Sequence, residues 1–246
     1  IFFLKILNKI IFTFTIFLIL IGFGNYSFAL TEDPVVVIET NFGNMVIELF
    51  PADATEHVQN FLFLSSGGVD EISYYDNTLF HRIIPGFMIQ GGDPNTIDGE
   101  PNTWGQGGPD EKLDAEFNSI KHNRGIVSMA RSADPNSAGS QFFIVHQDSN
   151  TLDGKYTAFG RLATEESFET LDKIAAVPTG AYDRPVDPEQ VRIIKTTIMA
   201  TSNVSGYIPY VDPERTGIVT PRAESIGNQI FESQELDITF SAPVGW

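Results

Sequence analysis

Residues 35–39 and 45–50 are short apolar runs rich in β-branched side chains, each with a single Glu, and Asn41-Phe42-Gly43-Asn44 between them supplies turn chemistry. Together they predict an opening β-hairpin. Beyond Pro51 the period changes. Val58, Phe61 and Leu62 recur at helical spacing, and Gly67-Gly68 ends the run, which predicts a first helix. Short strand-like runs follow at 78–84, 87–90, 125–130, 141–145 and 157–162. A second helix is expected over 165–176, where Phe168, Leu171 and Ile174 share one face, and 191–199 reads as a final strand. Strands and helices do not alternate, and nothing repeats. Many short strands with glycine-rich turns and only two helices point to an all-β barrel or sandwich with helical caps.

The two ends depart from this pattern. Lys5 and Lys9 precede an apolar run over 10–24, and small residues stand at Ser27 and Ala29. This is the pattern of a secretory signal cleaved after Ala29. The apolar run is short against the ~20 residues of a membrane span, although an uncleaved segment would act as a tether. From Thr201 the periodicity weakens, and Pro209, Pro213 and Pro221 suggest an extended linker. Residues 236–240 read as a new strand, either the edge of a further domain or part of a tail that packs back. The organisation expected is therefore a signal or anchor over 1–29, a domain over 34–199, and an extension over 200–246.

Composition narrows the chemistry. The 246 residues include no cysteine, and 32 acidic side chains face 15 basic ones, a net charge of −17. Without residues 1–29 the balance is 13 basic to 32 acidic, or −19. Such acidity argues against nucleic acid as a partner, because phosphate contacts need Lys and Arg. It also disfavours docking on anionic lipid, so a membrane is expected only if the N-terminal segment is retained. Absent cysteine excludes disulfides, thiolate metal sites and a thiol nucleophile.

Three blocks carry the chemistry. The first is Phe80-His81-Arg82-Ile83-Ile84-Pro85-Gly86-Phe87-Met88-Ile89-Gln90-Gly91-Gly92-Asp93. The second joins Gly125-Ile126-Val127-Ser128-Met129-Ala130 to Asn136-Ser137-Ala138-Gly139-Ser140-Gln141-Phe142-Phe143-Ile144. The third is Leu152-Asp153-Gly154-Lys155 with Phe159-Gly160. In this order they resemble the cyclophilin family of peptidyl-prolyl cis–trans isomerases, over about residues 34–199. The resemblance implies a closed eight-stranded antiparallel β-barrel capped by two α-helices.

It also implies a reaction that needs no cofactor and no metal. Rotation about an X–Pro amide breaks resonance against a barrier of ~18–20 kcal/mol, but makes and cleaves no bond. Arg82, Phe87 and Gln90 match the catalytic positions. The permanently charged Arg82 fork would stabilise the prolyl nitrogen as it loses conjugation. His81, Met88, Ala130, Arg131, Gln141, Phe143, Leu152 and Tyr156 match the peptide-binding positions. Phe142 neighbours Phe143 on a strand, so its side chain should point the other way, into the core. The implied partners are proline-containing segments of unfolded or exported proteins.

Departures from the family pattern carry their own expectations. Arg131 stands where Asn is usual, which should leave activity intact and alter peptide preference. Thr151 replaces a common Trp and Tyr156 a usual His, and weak cyclosporin binding should follow. The acidic loop 93–100 superficially resembles a calcium loop, but Ile97 occupies a ligand position and no Glu closes it. It is expected to be a solvated turn at the site rim. Asn203-Val204-Ser205 fits a glycosylation sequon. The leading function is an exported prolyl isomerase. The alternatives are a non-catalytic proline-peptide module and a holdase chaperone at the cell envelope.

Overall fold

The computed structural model describes residues 34–67, 72–211, 229–233 and 238–242, the last two segments as backbone. The signal or anchor expected over 1–29 lies outside the described residues. Eight antiparallel strands form one sheet: β1 (Pro34–Thr40), β2 (Gly43–Leu49), β3 (Arg82–Ile84), β4 (Met88–Gly91), β5 (Ile126–Met129), β6 (Phe142–Val145), β7 (Ala158–Leu162) and β8 (Ile193–Ala200). Their spatial order is β3-β4-β6-β5-β7-β2-β1-β8. The expected opening hairpin is β1–β2, with Val37 opposite Val46.

The closed barrel implied by the family resemblance is corrected to an open, curled sheet. β3 and β8 are its edges and do not pair with each other. Instead the chain leading into β3 meets the start of β8 and the residues just before it. Asn77 N–H donates to the Ile193 carbonyl at 2.8 Å, Ile193 N–H to Thr78 at 2.8 Å, and Phe80 N–H to Val191 at 3.0 Å. The lacing stops there for two reasons. Beyond Phe80 the chain is committed to β4, and before Ile193 it turns through the 3-10 helix Pro188–Val191.

Alternation along the strands divides the apolar residues between two faces. Ile38, Ile47, Ile83, Ile89, Val127, Phe142, Ile144 and Phe159 are fully buried in the main core. Helix α1 (Thr55–Ser66) drops Phe61 into its centre, where the ring lies 5.2 Å from Tyr75, 5.4 Å from Phe142 and 5.0 Å from Phe159. Gly67 ends α1 in the left-handed conformation, φ 83°, that a Cβ disfavours. A short second helix, α2 (Asn95–Asp98), follows β4. The third, α3 (Glu165–Ala175), adds Leu171 and Ile174 to the core. The Thr164 hydroxyl caps it by accepting from Ser167 N–H at 3.2 Å, and Glu165 and Glu166 sit at its positive end. On the other face Met88, Ile126, Phe143 and Val145 join Phe50, Ile120 and Ala158 in a separate apolar cluster.

Beyond β8, residues 201–211 pack back on the domain, although the sequence suggests an extended linker from Thr201. Val204 and Tyr207 cover Val35, Val46 and Ala163. Ile208 N–H donates to the Ala163 carbonyl at 2.8 Å. Tyr210 lies on Phe50 at 4.9 Å and beneath the Arg161 guanidinium at 5.5 Å. Further on, β9 (Gln229–Ser233) and β10 (Ile238–Ala242) pair antiparallel as a separate two-stranded ladder. The strand expected at 236–240 thus falls partly on β10.

Candidate active site

Strand register assembles the site. Arg82 lies opposite Gln90, Gln90 opposite Phe143, and Phe143 opposite Ser128. Residues directly opposite share a face, so a cation, an amide, an aromatic ring and a hydroxyl form one row across β3, β4, β6 and β5. The neighbouring row, Ile83, Ile89, Ile144 and Val127, points into the main core. A slip of one residue would exchange the two rows.

Pro85-Gly86 turns the chain between β3 and β4, with Gly86 at φ 78° and Phe87 N–H bonded to Ile84 at 3.0 Å. Pro followed by a left-handed Gly is the chemistry of a type II turn. It brings Phe87 and Met88 round beside the row. Phe143, only 5% exposed, and Met88 form the apolar floor, and Phe87, Ala130, Leu152 and Tyr156 pack against it half-buried. The Tyr156 ring meets Phe143 edge-on at 5.5 Å, and Arg131 stacks over Tyr156 at 4.6 Å. Arg131 also donates to the Lys155 carbonyl at 2.8 and 3.1 Å and to Ser132 at 2.8 Å, so its guanidinium forms the outer wall. Thr151 is exposed on the 3-10 turn Asn150–Leu152 and offers no large ring.

The polar side of the row is held from behind. Gln90 donates through Nε2 to Gln141 at 3.0 Å, and Gln141 donates to the Gly107 carbonyl at 2.8 Å. Asp93, fully buried, anchors the Gly105–Gly107 loop, accepting from the backbone N–H groups of Gly105 and Gly107. It also accepts from Asn95 N–H at 2.8 Å. The loop 93–100, expected as a solvated turn, is so only in part: Ile97, Asp98 and Glu100 are exposed. Asp93 and Thr96 are buried, because the carboxylate and hydroxyl are consumed by backbone donors and acceptors.

His122, which no motif singles out, lies under the floor. Its ring stacks on Phe143 at 6.1 Å and 17°. Nδ1 lies 3.1 Å from Asp153, and Nε2 lies 3.1 Å from the Ser128 hydroxyl. The carboxylate can only accept, so the neutral ring carries its proton on Nδ1. Burial pushes the His122 pKa down, against the pull of Asp153. The signals that could have found this trio were Ser128 and Asp153 inside the quoted blocks. His81 requires a correction too. Expected at the peptide surface, it is 3% exposed, and neither ring nitrogen has a well-formed hydrogen bond among the described residues. It alternates with Arg82, so when Arg82 reaches the site His81 turns inward. Burial lowers its pKa to about 4, although the buried Asp93 carboxylate pulls the other way.

Arg82 itself is half exposed, and its Nε–H donates to Asp183 at 3.3 Å. Asp183 was also absent from the sequence reading, because it arrives from a distant loop.

The model of the family "Cyclophilin type peptidyl-prolyl cis-trans isomerase/CLD" matches residues 35–198. Among curated relatives, the chain is 41% identical over 169 residues to peptidyl-prolyl cis-trans isomerase-like 1 of Gibberella zeae, covering 67% of this chain and 94% of that one. It is 43% identical over 167 residues to peptidyl-prolyl cis-trans isomerase CYP18-1 of Arabidopsis thaliana, covering 67% and 96%. Among solved structures, a Cryptosporidium parvum cyclophilin-type isomerase crystallised in the presence of the dipeptide Ala-Pro matches with a TM-score of 0.58 and 37% identity, covering 68% of this chain and 99% of that one. A cyclophilin of Hirschia baltica matches with a TM-score of 0.54 and 28% identity, covering 70% and 76%.

Proposed function

Because the chain belongs to the cyclophilin-type peptidyl-prolyl cis–trans isomerases, and is an isomerase of that kind, we propose that it turns X–Pro bonds of exported proteins over the row Arg82–Gln90–Phe143. The observation that carries this reading is the shared face of these three side chains. The apolar floor of Phe143 and Met88, walled by Phe87, Leu152 and Tyr156, suits a proline ring. Arg82 stands two strands away, and donates to the prolyl nitrogen when its lone pair leaves the carbonyl. Gln90 and Gln141 hold the flanking backbone. The donor is stronger towards the twisted amide than towards either planar form, which is the condition for catalysis. An acceleration of ~10⁵-fold requires about 7 kcal/mol of such preference.

The exported setting rests on the signal pattern of residues 1–29. It puts the enzyme outside the cytoplasm, free or tethered, where it assists folding.

The test is exchange of a short Ala-Pro peptide. Arg82→Ala should lower kcat/KM by about 10²–10³-fold, as loss of a transition-state donor does. A wild type that binds proline peptides without speeding exchange, or an Arg82→Ala variant that keeps the rate, would refute the assignment. Thr151 and Tyr156 carry a second expectation. With no large ring at position 151, cyclosporin loses a contact of the size that dominates interfaces. Titration of the same assay should give inhibition well above the nanomolar range.

A further inference from the structure

Asp183 reaches Arg82 from the tip of a small hairpin. Val186 N–H donates to the Pro178 carbonyl at 2.9 Å, and Gly180 N–H to Arg184 at 2.8 Å. Thr179 and Pro185 form an antiparallel bridge between the arms. Arg184 N–H closes the tip on Ala181 at 3.4 Å. The two central residues are both left-handed, Tyr182 at φ 62°, ψ 27° and Asp183 at φ 58°. This is the form of a type I′ turn, which Asn-Gly fills most readily. A Cβ is disfavoured at both positions, yet Tyr and Asp occupy them.

Packing does not explain the choice. Tyr182 is 79% exposed and touches the Arg184 guanidinium at 5.1 Å. Nor does stability. The Arg82 and Asp183 side chains are 43% and 47% exposed, and an exposed pair contributes little. What the tip does achieve is a carboxylate on the Nε edge of the Arg82 fork, while among the described residues neither Nη group donates a hydrogen bond.

Building on the catalytic reading of Arg82, we propose that Asp183 is a positioning residue that holds the guanidinium by Nε and leaves its Nη edge for the bound X–Pro amide. Fixing the fork in advance spares the ordering cost at each turnover.

The experiment uses Asp183→Gly and Asp183→Asn, each alone and with Arg82→Ala. Glycine suits the left-handed position, so Asp183→Gly should keep or raise the thermal midpoint. Its kcat/KM should nevertheless fall about 3–10-fold, through kcat with KM unchanged. Asparagine should recover part of the loss, because its amide oxygen still accepts from Nε–H without the charge. On the Arg82→Ala background Asp183→Gly should change nothing further. Unaltered kcat/KM in Asp183→Gly would overturn the proposal. So would a raised value, the mark of a carboxylate competing with substrate, or an equal loss with and without Arg82. If Arg82→Ala abolishes exchange while Asp183→Gly does not lower it, only the role of Asp183 fails. If Arg82→Ala keeps the rate, the reading of Arg82 fails with it.

Discussion

His81 holds a buried imidazole one residue from the guanidinium that we propose faces the substrate. Its pKa of about 4 in the folded chain lies below the ordinary 6.5. Between those values the unfolded chain binds a proton that the folded chain refuses, so stability falls as pH drops from about 6.5 to about 4. The expected loss between pH 7 and pH 5 is about 2 kcal/mol from this residue. Urea unfolding at the two pH values measures it, and His81→Leu should flatten the dependence. An equal slope in the variant would remove His81 as its source. At this scale the sequence was legible where alternation decides. Phe142 goes to the core and Phe143 to the floor, as the strand period requires. The same period turns His81 inward once Arg82 is outward, and the family match alone concealed that. Asp183 was illegible because it sits 101 residues from Arg82, on a loop that no period describes.

Elements with a repeating apolar pattern were legible nearly to the residue. The opening hairpin, both long helices and the β5–β7 strands fall where the periods place them. The strap over residues 201–211 was not, because it docks by isolated anchors. Val204, Tyr207 and Tyr210 touch the domain at every third residue, a spacing too brief to mark a helix or a strand, and hydrogen bonds between the strap backbone and the Ala163 carbonyl and the Glu48 and Arg161 side chains add to them. Tyr210 contributes one ring pair and one cation–π contact. Tyr210→Ala should therefore cost about 1–2 kcal/mol in denaturant unfolding and leave kcat/KM unchanged. If it costs nothing, the strap is an accessory rather than part of the domain.

For the whole molecule, the all-β class could be read from the pattern and its antiparallel order from the family resemblance, whereas the closure of the sheet could not. Closure depends on whether two edge strands far apart in sequence find each other, and here β8 meets the chain that leads into β3 rather than β3 itself. The row that we propose as catalytic lies on the face of the sheet opposite the main core. On that reading an unbroken polypeptide is laid across it and lifted off sideways, with no chain end to thread, so a proline in the middle of a long chain should be turned over as readily as one in a short peptide.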